Sequence, residues 1–153
     1  MKTAIVVSLF ATLLIGCSAE EGDIDWGPQI QRANEELLNK GNLELVEELF
    51  APTYVRHRAE GDFEGGPDTI KDFVTSIRTA FPDLRVEVEI LATEGDRVAW
   101  LRTHRGTHQG EYLGVPASGR LITWQTMIVT QYEEGKIAEE WGVSDLAEHL
   151  HAN

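Results

Sequence analysis

Apolar residues recur at helical spacing in the first half of the chain and at alternate positions in the second half. The helical period covers residues 28–40, 42–50 and 68–81, with charged and polar residues between the apolar ones. Gly41 is expected to stop the first helix and Pro52 the second. The pattern therefore predicts a helical hairpin followed, after a loop, by a third helix.

From residue 84 onward the apolar period changes from about 3.6 to 2, which is typical of strands. Strands are predicted over 84–90, 98–105, 121–132 and 137–144, and a short β-like segment over 54–58 precedes the third helix. The predicted order is α-α-β-α-β-β-β-β. Helices first and an antiparallel meander last favour an α+β domain, in which three N-terminal helices pack on a curved, mainly antiparallel sheet.

Both faces of the long strand 121–132 are apolar. One face carries Ile122, Trp124, Thr126, Ile128, Thr130 and Tyr132. The other carries Leu121, Met127 and Val129. Because the helices can cover only one face of a sheet, the second needs another partner. The sequence therefore predicts a homodimer built on the sheet, which Trp124→Glu is expected to dissociate.

The first residues have the features of a secretory signal. A basic start is followed by an apolar run that is shorter than the roughly 20 residues of a membrane-spanning helix. The run ends Leu14-Ile15-Gly16-Cys17, which resembles a bacterial lipobox, so residues 1–16 are interpreted as a lipoprotein signal peptide and Cys17 as the lipidated residue. Residues 17–27 then form an acidic tether, and 28–153 form the domain.

The location that this signal implies is the cell envelope, outside the cytoplasm. Ser18 after the cysteine resembles the signal for the outer membrane in bacteria that have one. The membrane is expected to be contacted only through the lipid. Cys17 is the only cysteine, so neither a disulfide nor a thiol metal site is predicted.

The charge of the chain excludes one class of partner. There are 26 acidic residues against 13 basic ones, and the formal charge is −13. Removing residues 1–16 takes away one lysine and no acid, which makes the charge −14. Such a field repels nucleic acid and anionic headgroups, so neither is a predicted partner.

A glycine-rich stretch, residues 106–120, joins two predicted neighbouring strands. It contains four glycines, one proline and His108. We interpret it as a functional loop, because glycine permits bulges and tight bends. An ordinary irregular connection is the alternative, since glycine and proline also punctuate loops without function.

Alternation along the preceding strand suggests what lines a binding cavity. Trp100, Arg102, His104 and His108 share one parity, and aromatic and titratable side chains together suit a ligand pocket. In the alternative, Trp100 belongs to the core and the histidines are solvated or bonded to the backbone. No metal is predicted, because no helix aligns the histidines as ligands.

Asp145 follows the last predicted strand. Placed at the end of a partly apolar strand face, its carboxyl group would exchange protons near neutrality and serve as a general acid and base. Equally, an aspartate before the segment 146–151 is a candidate N-cap of a C-terminal helix. The residues leave both interpretations open.

Several segments of the chain carry a family resemblance, and they are His57, Phe81-Pro82-Asp83-Leu84, Gly106-Thr107-His108-Gln109-Gly110, Leu113-Gly114-Val115-Pro116, Ser118-Gly119-Arg120, Gly135-Lys136-Ile137, Glu139, Trp141 and Asp145. Together they resemble the SnoaL-like polyketide cyclases, also called ester cyclases, of the nuclear-transport-factor-2-like superfamily. The resemblance covers roughly residues 31–150.

This resemblance implies a cone-shaped half-barrel around one deep pocket, a homodimer, and activity without metal or cofactor. In cyclases of the family an aspartate near the end of the last strand is thought to act as general acid and base, and Asp145 falls at that place. Position 131, often basic in the family, is Gln131 here. The substrate-binding residues predicted from parity and resemblance together are His57, Trp100, His104, His108, Gln125, Gln131 and Trp141.

Two classes of function remain. The first is a cofactor-free enzyme of the cyclase, isomerase or hydrolase type that acts on a small hydrophobic carbonyl compound. The second is a non-catalytic lipoprotein that binds such a ligand or a partner at the cell envelope.

Overall fold

The structure, a computed structural model, describes residues 24–58 and 61–152. The first helical stretch begins with a proline in its first turn and ends before Gly41. The φ of Gly41 is 74°, in the left-handed region that favours glycine. The helices are α1 (Gly27–Ala33), which continues as a π-helical segment (Asn34–Lys40), then a 3-10 turn (Leu43–Leu45) leading into α2 (Val46–Leu49), α3 (Pro67–Ala80) and α4 (Leu146–His151).

The strands form one curved, open sheet. Its order is β2-β1-β6-β5-β4-β3, in which β1 and β6 are parallel and all other neighbours are antiparallel. The parallel pair joins the helical first half of the chain to the last strand of the meander. The strands are β1 (Phe50–His57), β2 (Phe63–Gly65), β3 (Arg85–Glu94), β4 (Arg97–Thr107), β5 (Leu121–Glu133) and β6 (Lys136–Ser144).

The predicted α+β fold with helices on a curved antiparallel sheet is confirmed. Two local predictions differ from the structure. Pro52 does not end a helix but lies inside β1, where the pairing with β6 is irregular between Phe50 and Val55, so the missing N–H interrupts no regular ladder. The predicted loop before α3 contains the three-residue strand β2, which pairs with β1.

Buried and exposed residues alternate along the neighbouring strands β4 and β5. Even-numbered residues of β4 and β5 are buried and face the helices, and we call this side the inner face; odd-numbered residues form the outer face. Trp124 is 2% exposed on the inner face, whereas Met127 is 56% exposed on the outer face. The prediction that Trp124→Glu would dissociate a dimer is therefore wrong, because Trp124 belongs to the core.

The predicted loop between β4 and β5 is confirmed as a connection of neighbouring strands, and it is folded rather than loose. Gln109 and Gly110 donate backbone hydrogen bonds to the carbonyl of Ala80 at the end of α3, at 2.8 and 3.1 Å. A Cβ atom on Gly110 would lie 2.9 Å from the carbonyl oxygen of Thr79, so this close approach needs glycine. The loop is thereby held against the C-terminus of α3.

The signal peptide, Cys17 and most of the tether lie outside the described residues, so their assignments stay predictions. Within the described ranges, no helix is long and apolar enough to cross a bilayer. Trp26, just before the first helix, is held against the sheet. Its ring stacks on Tyr132 with ring centres 4.2 Å apart, and its indole nitrogen donates a hydrogen bond to the carbonyl of Gly95 at 3.2 Å.

Candidate functional site

A network of polar side chains is buried on the inner face. The Glu140 carboxylate is 4% exposed and accepts hydrogen bonds from Tyr54 Oη and Arg56 Nη1, both at 2.7 Å, and from Thr130 Oγ1 at 3.0 Å. Trp100 Nε1 donates to Thr130 Oγ1 at 2.9 Å. Since buried polar groups are costly unless they are bonded, each of these contacts holds its neighbour in one orientation.

Strand pairing brings this network together. Parallel pairing of β1 with β6 sets Arg56 opposite Glu140, and antiparallel pairing of β5 with β6 sets Thr130 opposite Glu140. Gly142 leaves room for the arginine, because a Cβ atom there would lie 2.7 Å from Arg56 Nη2. The absence of a side chain at Gly142 thus permits the ion pair beside it.

Next to this network, two buried polar side chains on β4 have nitrogen atoms with no hydrogen-bond partner among the residues that the structure describes. Arg102 is 8% exposed, its guanidinium lies 4.8 Å from the ring centre of Trp100, and its Nε bonds to nothing. His104 is 2% exposed and stacks on Trp124 with ring centres 4.5 Å apart, and its Nδ1 also has no partner. Unpaired buried nitrogens of this kind are rare in proteins and suggest a missing polar partner.

Burial decides the protonation of both groups. Burial, followed by the charge of Arg102, lowers the pKa of His104 to about 2 against the opposing effect of a hydrogen bond with the Trp124 backbone, so its imidazole is neutral at physiological pH. Burial lowers the pKa of Arg102 to about 10, which leaves the guanidinium charged. Burial, followed by the charge of Glu140, raises the pKa of the Tyr54 hydroxyl well above its ordinary value.

The inner face thus combines a charged donor with a neutral imidazole, both beside aromatic rings. A guanidinium fixed in a dry site stabilises negative charge on an oxygen atom far more than it would in water. The arrangement suits a ligand whose carbonyl oxygen carries, or develops, negative charge.

His108, the histidine of the loop, is fully buried but lies in a different setting. Its ring stacks on Phe81 with centres 5.2 Å apart, and its Nδ1 is 3.2 Å from Ser118 Oγ. Its Nε2 has no partner. His108 therefore shares the inner side of the sheet with Trp100 and His104, as parity predicted.

The other four predicted binding residues lie on the outer face and do not meet this group. His57 stacks on Trp141 with ring centres 4.8 Å apart, and Arg97 donates to Gln131 Oε1 at 3.0 and 3.2 Å. Gln125 is exposed on the same side. The sheet separates these four residues from the inner face.

Asp145 lies at the N-terminus of α4 with its side chain 41% exposed. Its Oδ1 accepts the backbone N–H of Gln125 at 2.7 Å, and its Oδ2 lies 3.4 Å from His149 Nε2. It makes no side-chain cap bond to its own helix. Within the described residues, no hydrogen bond links Asp145 to the inner-face network, and its catalytic role stays a prediction.

A β-bulge explains why strand parity did not find Glu140. The pairing of β6 with β5 shifts register between Gln131 and Tyr132 and leaves Ala138 without a β5 partner. Past the bulge, Glu140 points inward, whereas Trp141 and Val143 take the other side. Uninterrupted alternation from the start of β6 therefore misassigns every later residue of this strand.

Sequence reasoning also missed Tyr54 and Arg56, which β1 contributes from far along the chain. The sequence did place Arg102 with the cavity-facing residues, because it lies between Trp100 and His104 and shares their parity. A buried arginine in an alternating strand was the signal that could have found the site, since arginine is rarely buried without a partner.

Two open clefts lie elsewhere. One, of about 430 Å³, is on the side of β3 and β4, and one, of about 340 Å³, lies between the π-helical segment and β3. We favour the inner face over both clefts as the candidate ligand site, because water can bond to polar groups in an open cleft but not to those in a buried network. The first is lined by Asp83, Arg85, Arg105, Gly106, Thr107 and Leu121, and the second by Gln31, Asn34, Glu35, Asn39, Val86, Glu87 and Val88.

No group of three or more histidine, cysteine, aspartate or glutamate side chains within residues 24–58 and 61–152 is arranged to hold a metal ion.

The fold is that of a small-molecule pocket protein of the nuclear-transport-factor-2-like type, and the buried polar groups lie on the inner face of its sheet. The family model described as SnoaL-like polyketide cyclase matches residues 28–153. The chain therefore belongs to the SnoaL-like polyketide cyclase family.

Solved structures agree with this assignment. IdmH from Streptomyces antibioticus, a candidate polyketide cyclase, is 31% identical, with 81% of this chain and 96% of that chain covered and a TM-score of 0.65. AclR from Streptomyces galilaeus, a candidate hydroxylase, is 30% identical, with 74% and 86% covered and a TM-score of 0.61. TsrD from Streptomyces laurentii is 24% identical, with 86% and 100% covered and a TM-score of 0.72, and shows the shared fold.

The comparison with curated proteins finds no match. Because IdmH and AclR are assigned to different reactions, membership of the family does not by itself specify the chemistry.

Proposed function

We propose that this protein catalyses cofactor-free acid/base chemistry, of the cyclase, isomerase or hydrolase type, on a small hydrophobic carbonyl compound. The observation that carries the proposal is the pair of buried, unpartnered nitrogens on Arg102 and His104 beside the rings of Trp100 and Trp124. Aromatic walls bind a hydrophobic body, and polar donors in a dry site stabilise an enolate oxygen.

The proton-transfer group in this proposal is Asp145, as the family resemblance implies. In the reaction a base removes a proton from the carbon next to the carbonyl, the negative charge moves to the carbonyl oxygen, and a proton later returns. An exposed carboxylate can reach the ligand only at the rim of the inner face, so its contribution needs a direct test.

Exchange of the α-proton in D₂O tests the proposal without knowledge of the product. We expect the protein to accelerate exchange in at least one member of a panel of small aromatic and alicyclic ketones and β-keto esters, followed by NMR. Asp145→Asn is expected to lower the exchange rate by about 100-fold or more with ligand affinity nearly unchanged, the usual scale for general acid/base catalysis.

Asp68→Asn is the matched control, because the Asp68 side chain is 98% exposed and remote from the inner face. An unchanged exchange rate in Asp145→Asn would remove the role of Asp145 but not the reaction class. Ligands that bind without any accelerated exchange would reject the enzyme and favour the alternative, a non-catalytic binding lipoprotein.

We also propose a homodimer formed through the outer face. Leu101, Met127 and Val143 are register neighbours on β4, β5 and β6, so they form one apolar row across three strands. Met127 and Val143 are 56% and 71% exposed. A continuous exposed apolar row is a common sign of an interface.

Met127→Glu is expected to convert a dimer of residues 22–153 into a monomer, because a buried carboxylate without a partner is costly at an interface. Light scattering at micromolar concentration measures the mass. Leu113→Glu, the same type of change at a residue that is 69% exposed in the loop, should leave the mass unchanged. A monomeric wild-type domain would contradict the proposal.

We further propose that the protein is anchored in the cell envelope by lipid on Cys17, as the lipobox resemblance implies. The chain after Cys17 would then lead to Trp26, near the end of the predicted tether, where the indole ring stacks on Tyr132. Metabolic labelling with a fatty acid tests the anchor, and an unlabelled wild-type protein would exclude it.

A further inference from the structure

We propose that the ligand of the inner face carries one carboxylate, bound by Arg102, so that the substrate class is a small hydrophobic carbonyl compound that is also a monocarboxylic acid. This inference rests on the proposed function for the location of the site and deepens it. The following contacts and charges of the inner face support it.

The Arg102 guanidinium is buried but has no counter-charge in contact. Its exposed fraction is 8%, and among the described residues it takes part in no salt bridge. Its Nε is fully enclosed and bonds to nothing, while the guanidinium lies against the ring of Trp100. A cation–π contact offsets only part of the cost of removing a charge from water, which is why buried arginines usually bind a carboxylate or another anion.

Glu140 is not a hydrogen-bonded partner of Arg102. Its charge opposes the effect of burial on the pKa of Arg102, but its carboxylate accepts its hydrogen bonds from Tyr54, Arg56 and Thr130. Arg56 and Glu140 form a pair at 2.7 Å, so the charge of Arg102 is left over. One unpaired positive charge remains in the buried network, and a monoanion would neutralise it.

The shape of the donors and walls selects the type of anion. A guanidinium presents planar donors that match the two oxygens of a carboxylate. A phosphate dianion would bring more negative charge than the single surplus positive charge balances. The neighbouring rings of Trp100 and Trp124 and the side chain of Ile128, which is fully buried, suit an aromatic or alicyclic body.

His104 supplies a second polar position two residues along β4. Its imidazole is neutral, and the free Nδ1 either donates or accepts a hydrogen bond according to its tautomer. A neutral oxygen of the ligand, such as a ketone or a hydroxyl, would satisfy it. Together the two groups fit a molecule with one carboxylate and one further oxygen on a hydrophobic frame.

Matched acids and amides test the inference by isothermal titration calorimetry at neutral pH. The probes are cyclohexanecarboxylate, phenylacetate and 4-oxocyclohexanecarboxylate, each compared with its primary amide, which has nearly the same shape but no charge. At least one acid is expected to bind about 10-fold or more tightly than its amide, which corresponds to about 1.4 kcal/mol or more, because a hydrogen bond to a charged group is stronger than one to a neutral group.

Arg102→Met is expected to abolish the preference for the acid. Methionine retains an apolar contact with Trp100, and removing an unpaired buried charge should leave the melting temperature unchanged or higher. Arg97→Met is the matched control: Arg97 lies 5.7 Å from the ring centre of Trp141 on the outer face, so the change removes a similar stacked arginine without touching the inner face.

Equal affinity of acid and amide, no binding of any acid, or an acid preference that persists in Arg102→Met would each overturn the inference. The α-proton exchange assay tests the proposed catalysis independently of the carboxylate site. An acid preference without α-proton exchange supports the carboxylate site and rejects the catalysis, whereas exchange without an acid preference does the reverse.

Discussion

Glu140→Gln is expected to lower the free energy of unfolding by about 3 kcal/mol, the lower end of the cost of breaking a buried ion pair. The change keeps the volume of the side chain but removes the only negative charge among the described residues that contacts Arg56, beside a second buried cation, Arg102. The lower end applies because the Arg56 side chain is 23% exposed and can partly regain water.

Urea denaturation of the purified protein measures this loss. Glu48→Gln is the matched control: Glu48 pairs with Arg32 at the same 2.7 Å, but the two side chains are 56% and 48% exposed. Exposed pairs contribute about 0–1 kcal/mol, so this control should lose little. Adding Arg56→Met to Glu140→Gln should recover part of the stability, since it removes the unpaired charge.

A loss below about 1 kcal/mol for Glu140→Gln would show that Arg56 does not need the carboxylate. No partial recovery in the double variant would lead to the same conclusion. Either result would also weaken the charge balance on which the carboxylate ligand rests.

The free energy of unfolding is expected to fall by about 2 kcal/mol between about pH 6.5 and about pH 4.5, and His104 is the cause. Burial lowers its pKa in the folded protein to about 2, from 6.5 in the unfolded chain. Below pH 6.5 the unfolded chain therefore binds a proton that the folded protein does not. Stability is complete above the unfolded pKa and is lost as the pH falls.

The other shifted histidine acts in a different pH range. The hydrogen bond to Asp62, followed by that to Glu139, raises the pKa of His57. Its stabilising contribution is complete below its unfolded pKa and is lost as the pH rises through the folded value. His57 therefore acts above about pH 6.5, and most carboxyl groups of an unfolded chain titrate below about pH 4.5, which leaves the interval between them mainly to His104.

His104→Gln is expected to remove most of this acid dependence, and His149→Gln, at a residue whose side chain is 44% exposed, should leave it in place. Denaturation midpoints in urea at several pH values give the slope. The prediction fails if the wild-type slope survives in His104→Gln. A titration of the imidazole by NMR with a pKa near 6.5 would contradict it directly.

The carboxylate proposal also makes sense of the overall charge. The formal charge of −13 repels anions from the surface, so an acid would be bound only where a local, dry positive charge exceeds that field. Arg102 is the charge to which the proposal assigns this role.

The sequence by itself determined the class of fold and most of its elements. The change of period from 3.6 to 2 is a local property, and Gly41 ends its helix because its own backbone requires the left-handed region. Parity within β4 likewise placed Trp100, Arg102 and His104 on one side, because β4 keeps its alternation without a bulge.

Only the tertiary structure decided which face of the sheet the helices cover. Both faces of β5 are apolar, so local pattern cannot separate Trp124 in the core from Met127 at the surface. The tertiary structure also decided that Pro52 lies within β1. The residues on both sides of it pair with β6, and this pairing outweighs the local tendency of proline to end regular structure.

The site itself depends on contacts between distant segments. Tyr54 and Arg56 meet Glu140 across 86 and 84 residues of chain, and the bulge at Ala138 turns Glu140 toward them. Strand register and bulges are set by pairing with a neighbour rather than by a strand's own sequence, and a shift of one residue exchanges the two faces. That is why sequence patterns found the wall of this site on β4 but not its buried carboxylate.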